Sequence, residues 1–229
     1  MELMQASGIN ILTSVQMTKI VQKDNTTMVY ASSGATYGNL SSPQVVGIES
    51  PENPYGYSKY VMDQIAYRTI LNNPSMNIVG LRYFNVYGPR EYFKAKTSSM
   101  ILQLGLQILD GKVPRLFEGS DQILRDFIYI EDVIQASIKA CQTNNNGIYN
   151  VGTGKSNSFQ EIANLLQKSL GTNFGTEYFR NPYEGYQMHT QADIRATQKL
   201  LGFEPKISLE VGIKTYISEI KRLYSEEYS

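Results

Sequence analysis

Cysteine and histidine are nearly absent from this sequence of 229 residues, which contains one of each, Cys141 and His189. A lone thiol cannot form a disulfide within the chain, and this fits a reduced compartment. Cys141 falls in an apolar helical pattern, so we expect it to be a core residue. His189 lies in a distant predicted loop, so a thiol activated by histidine is disfavoured, and so is a metal site.

Charge of neither sign is in excess, and long apolar runs are missing. Lys plus Arg and Asp plus Glu both number 21, which gives a formal net charge of zero. Proteins that bind nucleic acids or membrane surfaces carry a clear basic excess, so we expect neither partner. No run approaches the roughly 18 apolar residues of a membrane helix, and the residues around Glu2 do not resemble a signal peptide. We therefore expect a cytoplasmic protein of one or two domains.

The order of apolar and polar residues predicts an α/β protein in which strands and helices alternate. Helices are predicted at 9–23, 54–71, 97–110, 131–143, 158–170 and 209–224, and strands at 28–31, 78–84, 113–117, 127–129 and 147–151. Ser158 and Glu161 have the spacing of a capping box, which predicts a helix start. Small polar residues follow two of the strands, at 31–38 and 85–91. Ligands of parallel α/β sheets bind beyond the carboxyl ends of strands, so we expect the site there.

Tyr55 and Lys59 are the residues that point most directly to chemistry. Residues four apart share one face of a helix, so the phenol and the ammonium are predicted to point into one space. The ammonium favours the phenolate form, which makes Tyr55 a candidate for proton exchange. A serine hydroxyl from Ser32 or Ser33 would hold the substrate hydroxyl in line. A bare Tyr-x-x-x-Lys is more often the surface of an amphipathic helix, so the surrounding motifs decide.

The Tyr55–Lys59 motif PYGYSK is one of five motifs between Tyr30 and Gly154, which occur in the order YASSGATYG, PYGYSK, RYFNVYGPRE, RDFIYIEDV and YNVGTG. In that order they resemble the extended short-chain dehydrogenase/reductase family, whose members act on nucleotide sugars. Lys94, LFEGS and YQMHTQAD extend the resemblance to nearly the whole chain, and it is strongest to the branch that epimerises ADP-linked heptoses. The resemblance implies NADP as the cofactor, with NAD as the alternative. It also implies a small-molecule nucleotide sugar as the partner and a homo-oligomer when full length.

The fold that the resemblance implies is the C-terminal part of a Rossmann-like doubly wound parallel sheet plus a smaller α/β substrate-binding domain. Residues 1–90 and 127–152 would belong to the dinucleotide-binding domain, and 91–126 and 153–229 to the substrate-binding domain. No strand with a glycine-rich phosphate-binding turn precedes Tyr30. We therefore expect this chain to correspond to a carboxyl-terminal fragment of such an enzyme.

The resemblance also assigns roles to individual residues. Tyr55 would exchange a proton with the sugar hydroxyl or its ketone, Lys59 would bind the nicotinamide ribose, and Ser33 would hold the reacting oxygen. Lys94 would be a second base on the other side of the same carbon, and its alternative is an exposed loop lysine. The implied catalytic residues are Tyr55, Lys94, Ser33 and Lys59, the cofactor-binding residues Asn10, Lys59, Val86 and Lys94, and the substrate-binding residues Asn85, Phe117, Glu118, Gly119, Ser120, Arg125 and Tyr186.

Two of the substrate-binding assignments have plain alternatives. Phe117 also fits a core position, and Arg125 also fits an ion pair with Asp126 or Asp121. The planar guanidinium of Arg125 suits a diphosphate, since it can donate paired hydrogen bonds.

The function implied is inversion of C6 of an ADP-glycero-manno-heptose through a transient ketone, a step in the synthesis of lipopolysaccharide core precursors. A UDP-hexose 4-epimerase is the alternative within the family. A 4,6-dehydratase is disfavoured because Gly34 and Ala35 stand where its acidic pair belongs. An alternative of a different class is that the chain is an inactive truncated remnant, which binds nucleotide sugar weakly or not at all.

Overall fold

A computed structural model describes residues 13, 15–17, 19–20, 26–183 and 186–227, apart from the side chains of residues 96 and 227. The helices are α1 (Pro54–Asn72), α2 (Met100–Leu109), α3 (Ile130–Gln142), α4 (Phe159–Leu170) and α5 (Leu209–Glu227). The strands are β1 (Thr27–Ser33), β2 (Asn77–Tyr83), β3 (Asn85–Tyr87), β4 (Arg115–Phe117), β5 (Leu124–Arg125), β6 (Phe127–Tyr129), β7 (Gly147–Val151), β8 (Asn157–Ser158) and β9 (Glu177–Phe179). Short turns of 3-10 helix lie at Gly34–Tyr37 and Tyr92–Thr97.

A parallel sheet organises the fold, with β2 between β1 and β7. Ser33 at the end of β1 pairs with Tyr83 at the end of β2, which pairs in turn with Val151 at the end of β7. The carboxyl ends of the three strands therefore meet at one edge. β3 follows β2 directly and pairs in parallel with β6, so it extends the chain beyond that edge. The predicted α/β class is confirmed.

The start of α1 is fixed by local sequence. Asn53 caps the helix by accepting a hydrogen bond on Oδ1 from Gly56 N at 2.8 Å, and Pro54 is the first helical residue. Gly56 packs against the carbonyl of Ala35 so closely that a Cβ would clash with it. This contact brings Tyr55 beside the turn that follows β1.

The two largest of the four apolar clusters in the described residues hold the helices and the sheet together. The larger joins α2, α4 and α5 to β4 and β6 and includes Ile101, Leu104, Leu116, Phe127, Ile162, Leu166, Ile213 and Ile220. The second lies between the sheet and α3 and includes Val79, Leu81, Ile128, Ala136, Val151 and Phe203. The division into two domains remains a prediction.

A buried charged network joins β2 to α1. Arg82 Nε donates to Asp63 Oδ2 at 2.8 Å, and the two side chains are 1% and 0% exposed. Glu49 accepts a hydrogen bond from Arg82 at 2.5 Å. Asp63 also accepts from Tyr30 Oη at 2.8 Å and from Ser32 Oγ at 2.9 Å. Each buried charge is thus paired and hydrogen-bonded, as burial of charge requires.

Some sequence expectations need correction. Cys141 is exposed rather than in the core, because the apolar face of α3 runs through Val133, Ala136 and Ala140 and the next residue turns outward. α2 begins at Met100 rather than Thr97, since Tyr92–Thr97 forms a separate 3-10 turn. The capping box at Ser158 is confirmed. Of the predicted helix 9–23, residues 13, 15–17, 19 and 20 are helical, and the others lie outside the described residues.

Candidate active site

A cavity of about 540 Å³ opens at the carboxyl ends of β1 and β2. Eight of the predicted site residues line it: Ser33, Tyr55, Lys59, Asn85, Val86, Lys94, Arg125 and Tyr186. The segment from Phe117 to Ser120 does not form part of its lining. Asn10 lies outside the described residues. The structure therefore brings together every described residue that was predicted to be catalytic.

Tyr55 and Lys59 stand one helical turn apart on α1. The ammonium Nζ of Lys59 lies 5.8 Å from the centre of the Tyr55 ring and donates a hydrogen bond to the carbonyl of Ala31 at 2.9 Å. Desolvation lowers the pKa of Lys59, and the charge of Asp63 partly opposes this. Tyr55 is 38% exposed. The cavity thus holds an accessible phenol beside an ammonium anchored to the end of β1.

The two serines at the end of β1 are held differently. Ser32 is buried and donates its hydroxyl proton to Asp63. Ser33 is half-buried, and its Oγ accepts a hydrogen bond from Ala35 N at 3.1 Å. That contact leaves the hydroxyl proton of Ser33 for another acceptor. Ser33 is therefore the better placed of the two to bind a substrate oxygen.

Asn85 and Val86 line the cavity just beyond the end of β2. Asn85 N donates to the carbonyl of Asp126 at 2.9 Å, which ties β3 to the residue before β6. The Asn85 side chain is exposed and that of Val86 is half-buried. A polar and an apolar side chain thus stand next to each other at the cavity.

Lys94 reaches the cavity from the 3-10 turn Tyr92–Thr97. Its backbone N donates to the carbonyl of Glu91 at 2.9 Å, and Thr97 Oγ1 donates to the Lys94 carbonyl at 2.7 Å. The residue is exposed, as the loop-lysine alternative would have it, yet it also borders the cavity that contains Tyr55. An amine and a phenol therefore approach one space from different elements.

Arg125 is a buried cation without a carboxylate partner in the described chain. It is 6% exposed, and its guanidinium donates to the carbonyls of Leu124 and Gln187. The guanidinium carbon lies 5.1 Å from the ring centre of Tyr186 and 5.7 Å from that of Phe159. Desolvation lowers the pKa of Arg125, and Tyr186 opposes this. A desolvated guanidinium beside a cavity is suited to an anion.

The alternative for Arg125, an ion pair with Asp126 or Asp121, is wrong within the described chain. Asp126 accepts hydrogen bonds instead from Thr153 N at 2.7 Å and from Gly154 N at 2.9 Å. Its carboxylate holds the loop after β7, and this explains why neighbouring residues of opposite charge do not pair.

The segment from Phe117 to Ser120 adjoins the cavity through an aromatic contact. The Phe117 ring packs edge-on against Tyr186 at 5.5 Å and against Phe179 at 5.0 Å. Glu118 and Gly119 are exposed, whereas Ser120 is buried and its Oγ has no hydrogen-bond partner in the described chain. Phe117 thus packs as its core alternative predicts, and Ser120 keeps an unused hydroxyl.

Apart from Val86, sequence reasoning missed the apolar lining residues, among them Phe84, Met100, Phe127 and Phe159. These residues have the pattern of core positions, and nothing in their spacing distinguishes a cavity wall from a core. Phe159 is brought to Arg125 by the pairing of β5 with β8, two strands of two residues each. Strands this short leave no periodic signal in a sequence.

Within the described ranges, no cluster of three or more His, Cys, Asp and Glu side chains is arranged to hold a metal ion. No helix in the same ranges combines the length and the apolar character that crossing a bilayer requires.

Comparison with known proteins gives one family and several solved structures. Residues 5–152 match the NAD dependent epimerase/dehydratase family. ADP-L-glycero-D-manno-heptose-6-epimerase from Helicobacter pylori is 45% identical with a TM-score of 0.85, and the match covers 93% of this chain and 65% of that one. UDP-glucose 4-epimerase from Thermotoga maritima is 25% identical with a TM-score of 0.87, covering 97% and 72%.

A third structure, UDP-glucuronic acid 4-epimerase from Bacillus cereus in complex with UDP-glucuronic acid and NAD, is 28% identical with a TM-score of 0.80, covering 94% and 68%. The chain thus spans 65% of the length of the Helicobacter pylori enzyme. The family match extends over more than half of the sequence and includes the Tyr55 helix and the strands that frame the cavity. This chain belongs to the NAD dependent epimerase/dehydratase family.

Proposed function

We propose that this protein is an epimerase that inverts C6 of an ADP-linked glycero-manno-heptose through a transient ketone, with bound NADP or NAD. The observation that carries the proposal is that Tyr55, Lys59 and Lys94 border one cavity at the carboxyl ends of parallel strands. Identity of 45% to a heptose 6-epimerase, against 25% to a UDP-glucose 4-epimerase, favours the heptose as substrate.

The donor set of the cavity fits a nicotinamide cofactor. Lys59 would donate to ribose hydroxyls, Val86 would provide an apolar wall for the ring, and Lys94 would lie near both. NAD is the cofactor bound to the Bacillus cereus relative. When bound, such a cofactor supplies the redox chemistry by accepting a hydride from the sugar carbon and returning it.

The side chains of this chain supply the proton chemistry. The Tyr55 phenolate oxygen takes the proton of the C6 hydroxyl as the carbon is oxidised. The Ser33 hydroxyl donates a hydrogen bond to the C6 oxygen of the sugar. Once the ketone presents its opposite face, the Lys94 ammonium gives a proton to the carbonyl oxygen as the carbon is reduced. The substrate loses one proton to Tyr55 and gains one from Lys94, and the hydride taken from C6 would be returned to its opposite face, so C6 is inverted without net oxidation.

Arg125 would bind the diphosphate of the nucleotide sugar. It is buried without a carboxylate partner among the described residues, and its present acceptors are neutral carbonyls. A diphosphate would replace these contacts with charge-assisted ones, which are stronger. The unused hydroxyl of Ser120 lies in the segment that would continue the binding surface toward the nucleotide.

The deciding experiment compares two nucleotide sugars. Purified protein supplied with NADP or NAD is incubated with an ADP-linked heptose or with UDP-glucose, and inversion at each carbon is followed by NMR. We expect inversion at C6 of the heptose and none at C4 of UDP-glucose. The structural similarity to the UDP-glucose 4-epimerase is as high as that to the heptose epimerase, so the fold does not decide between the two substrates. Turnover of UDP-glucose alone would overturn the substrate assignment.

A second experiment addresses the alternative of an inactive remnant. Calorimetric titration with an ADP-linked heptose, in the presence of the cofactor, measures binding independently of turnover. We expect saturable binding at one site per chain. Absence of both binding and turnover would overturn the proposed function.

A further inference from the structure

Lys94 has no anchor of its own. Within the described chain no hydrogen bond or ion pair fixes its ammonium, in contrast to Lys59, which is tied to Ala31. The backbone of the segment from Gly88 to Ser99, which joins β3 to α2, therefore sets where the Lys94 side chain begins and which space its amine can reach.

The carboxylate of Glu91 ties both ends of this segment together. Its Oε2 accepts a hydrogen bond from Ser99 N at 2.6 Å, and its Oε1 accepts from Ser99 Oγ at 2.6 Å and from Gly88 N at 3.4 Å. Ser99 is also the cap of α2, where its Oγ accepts from Leu102 N at 3.2 Å. Glu91 is 4% exposed, so these contacts are shielded from water. One buried side chain thus closes the segment that carries Lys94.

The backbone between the two tied ends is strained. Arg90 has φ of 71° and Ala95 has φ of 46°, and both are non-glycine residues on either side of Lys94. Residues other than glycine adopt such angles only where surrounding contacts impose them. Local hydrogen bonds within the turn run from Lys94 N to the Glu91 carbonyl and from Thr97 Oγ1 to the Lys94 carbonyl, and the Glu91 carboxylate is the contact that joins the two ends of the segment. If the Glu91 carboxylate is removed, we expect the segment to relax toward ordinary backbone angles and to move the Lys94 amine away from the cavity.

We propose that Glu91 is a positioning residue that holds the Lys94 amine at the cavity. It does not line the cavity itself, and it acts through the geometry of the segment. The contribution of Glu91 to catalysis rests on the proposed function, in which Lys94 exchanges a proton on one face of the sugar carbon. Its structural part, that the Lys94 amine moves when the Glu91 carboxylate is lost, can be tested without turnover.

The first test is spectroscopic. Lysines of the purified protein are reductively methylated with a ¹³C label, and the Lys94 signal is assigned by its loss in Lys94→Ala. In Glu91→Gln one carboxylate oxygen becomes an amide nitrogen that faces the donors of Ser99. We expect the Lys94 signal to shift toward that of the exposed Lys155 while the Lys59 signal stays in place. An unchanged Lys94 signal in folded Glu91→Gln would overturn the proposal.

The second test separates positioning from general damage. In the proposed reaction each C6 epimer has only one of the two bases, Tyr55 or Lys94, beside its hydroxyl. The rate at which each epimer is oxidised in a single turnover is measured from the absorbance of the nicotinamide. Glu91→Gln should slow oxidation of the epimer that depends on Lys94 by roughly 100-fold, since misplacement by about 1 Å has effects of that order. Oxidation of the epimer that depends on Tyr55 should change little. Equal slowing of both epimers would overturn the proposal.

A matched control is Asp132→Asn. Asp132 is also a buried carboxylate that ties a loop, accepting from Lys206 N at 3.1 Å and Ile207 N at 2.9 Å, but it lies away from the cavity. Its loss should affect both epimers alike. If Glu91→Gln fails to fold, Ser99→Ala removes one donor to Glu91 and should produce a smaller shift of the same Lys94 signal. If the unmodified protein oxidises neither epimer, that failure belongs to the proposed function, and the Lys94 signal alone decides the structural claim.

Discussion

Arg82 on β2 contacts a single oxygen of Asp63 on α1 through two guanidinium nitrogens, Nε and Nη2, each at 2.8 Å from Oδ2. Both side chains are buried, and Asp63 lies one helical turn beyond Lys59. The pair therefore fastens the helix that carries Tyr55 and Lys59 to the central strand of the sheet.

The first prediction concerns the stability that depends on this pair. Asp63→Asn should lower the free energy of unfolding by about 3 kcal/mol, since it leaves a buried guanidinium with one fewer carboxylate. Urea denaturation followed by circular dichroism measures this. Glu219→Gln is the control, because Glu219 pairs with Arg222 at the surface, where solvent screens the pair and the expected loss is much smaller. Equal losses in the two variants would contradict the prediction.

The second prediction concerns acid stability. Burial acts to raise the pKa of Glu49, but the charge of Arg82 and hydrogen bonds outweigh it, so the pKa lies below its ordinary value of 4.5. A carboxyl with a lowered native pKa stabilises the fold above its ordinary value, and this contribution is lost as the pH falls through the native value.

Glu49→Gln should therefore flatten the acid side of the stability curve. Between about pH 6 and about pH 3 the unmodified protein should lose more unfolding free energy than the variant does. Urea titrations at several pH values supply the comparison. Parallel curves for the two proteins would show that the native pKa of Glu49 is not lowered.

The third prediction concerns the two proposed bases. Tyr55→Phe and Lys94→Ala should each reduce C6 inversion by roughly 10²- to 10⁴-fold, the range that general acid–base catalysis contributes. Tyr57→Phe is a matched control for the first, since Tyr57 is exposed on the same helix. Lys155→Ala is the control for the second, being another exposed loop lysine. Near-normal inversion in Tyr55→Phe and Lys94→Ala would discard both roles.

The fourth prediction concerns nucleotide-sugar affinity. Arg125→Leu should weaken binding about 10- to 100-fold, because hydrogen bonds to a charged group contribute roughly 1.5–3 kcal/mol. Arg125→Lys should be intermediate, since an ammonium lacks the planar pair of donors. Isothermal titration calorimetry gives the dissociation constants. Arg115→Leu, which removes an exposed arginine from β4, should leave them unchanged; equal weakening there would argue against a specific diphosphate contact.

The sequence was sufficient for the long elements and for the residues at strand ends. The parallel strands β2 and β7 are mostly buried, and β1 alternates buried with more exposed residues. The polar residues at their ends converge because carboxyl ends of parallel strands share an edge. This is why Ser33, Tyr55 and Lys59 could be placed at one site from their spacing and order. Lys94 could be included only through its resemblance to a family motif.

Contacts between short or irregular segments were beyond sequence reasoning. The pairing of β5 with β8 sets Phe159 against Arg125, and it involves four residues without periodicity. The charged residues at Glu49, Asp63 and Arg82 have the composition of a surface, yet they are buried because each finds a partner far along the chain. Such partners become visible only when the fold is known.

The tight packing of Gly56 on Ala35 has a consequence for how ligand is received. A Cβ at residue 56 would lie 2.4 Å from the carbonyl oxygen of Ala35, so glycine is what lets the first turn of α1 approach the Gly34–Tyr37 turn this closely. This close approach places the Ser33 hydroxyl and the Tyr55 phenol near each other through contacts of the folded chain itself. Free energy released when the sugar docks is not diverted to assembling these two groups, which is the advantage that preorganised sites have over adaptable ones.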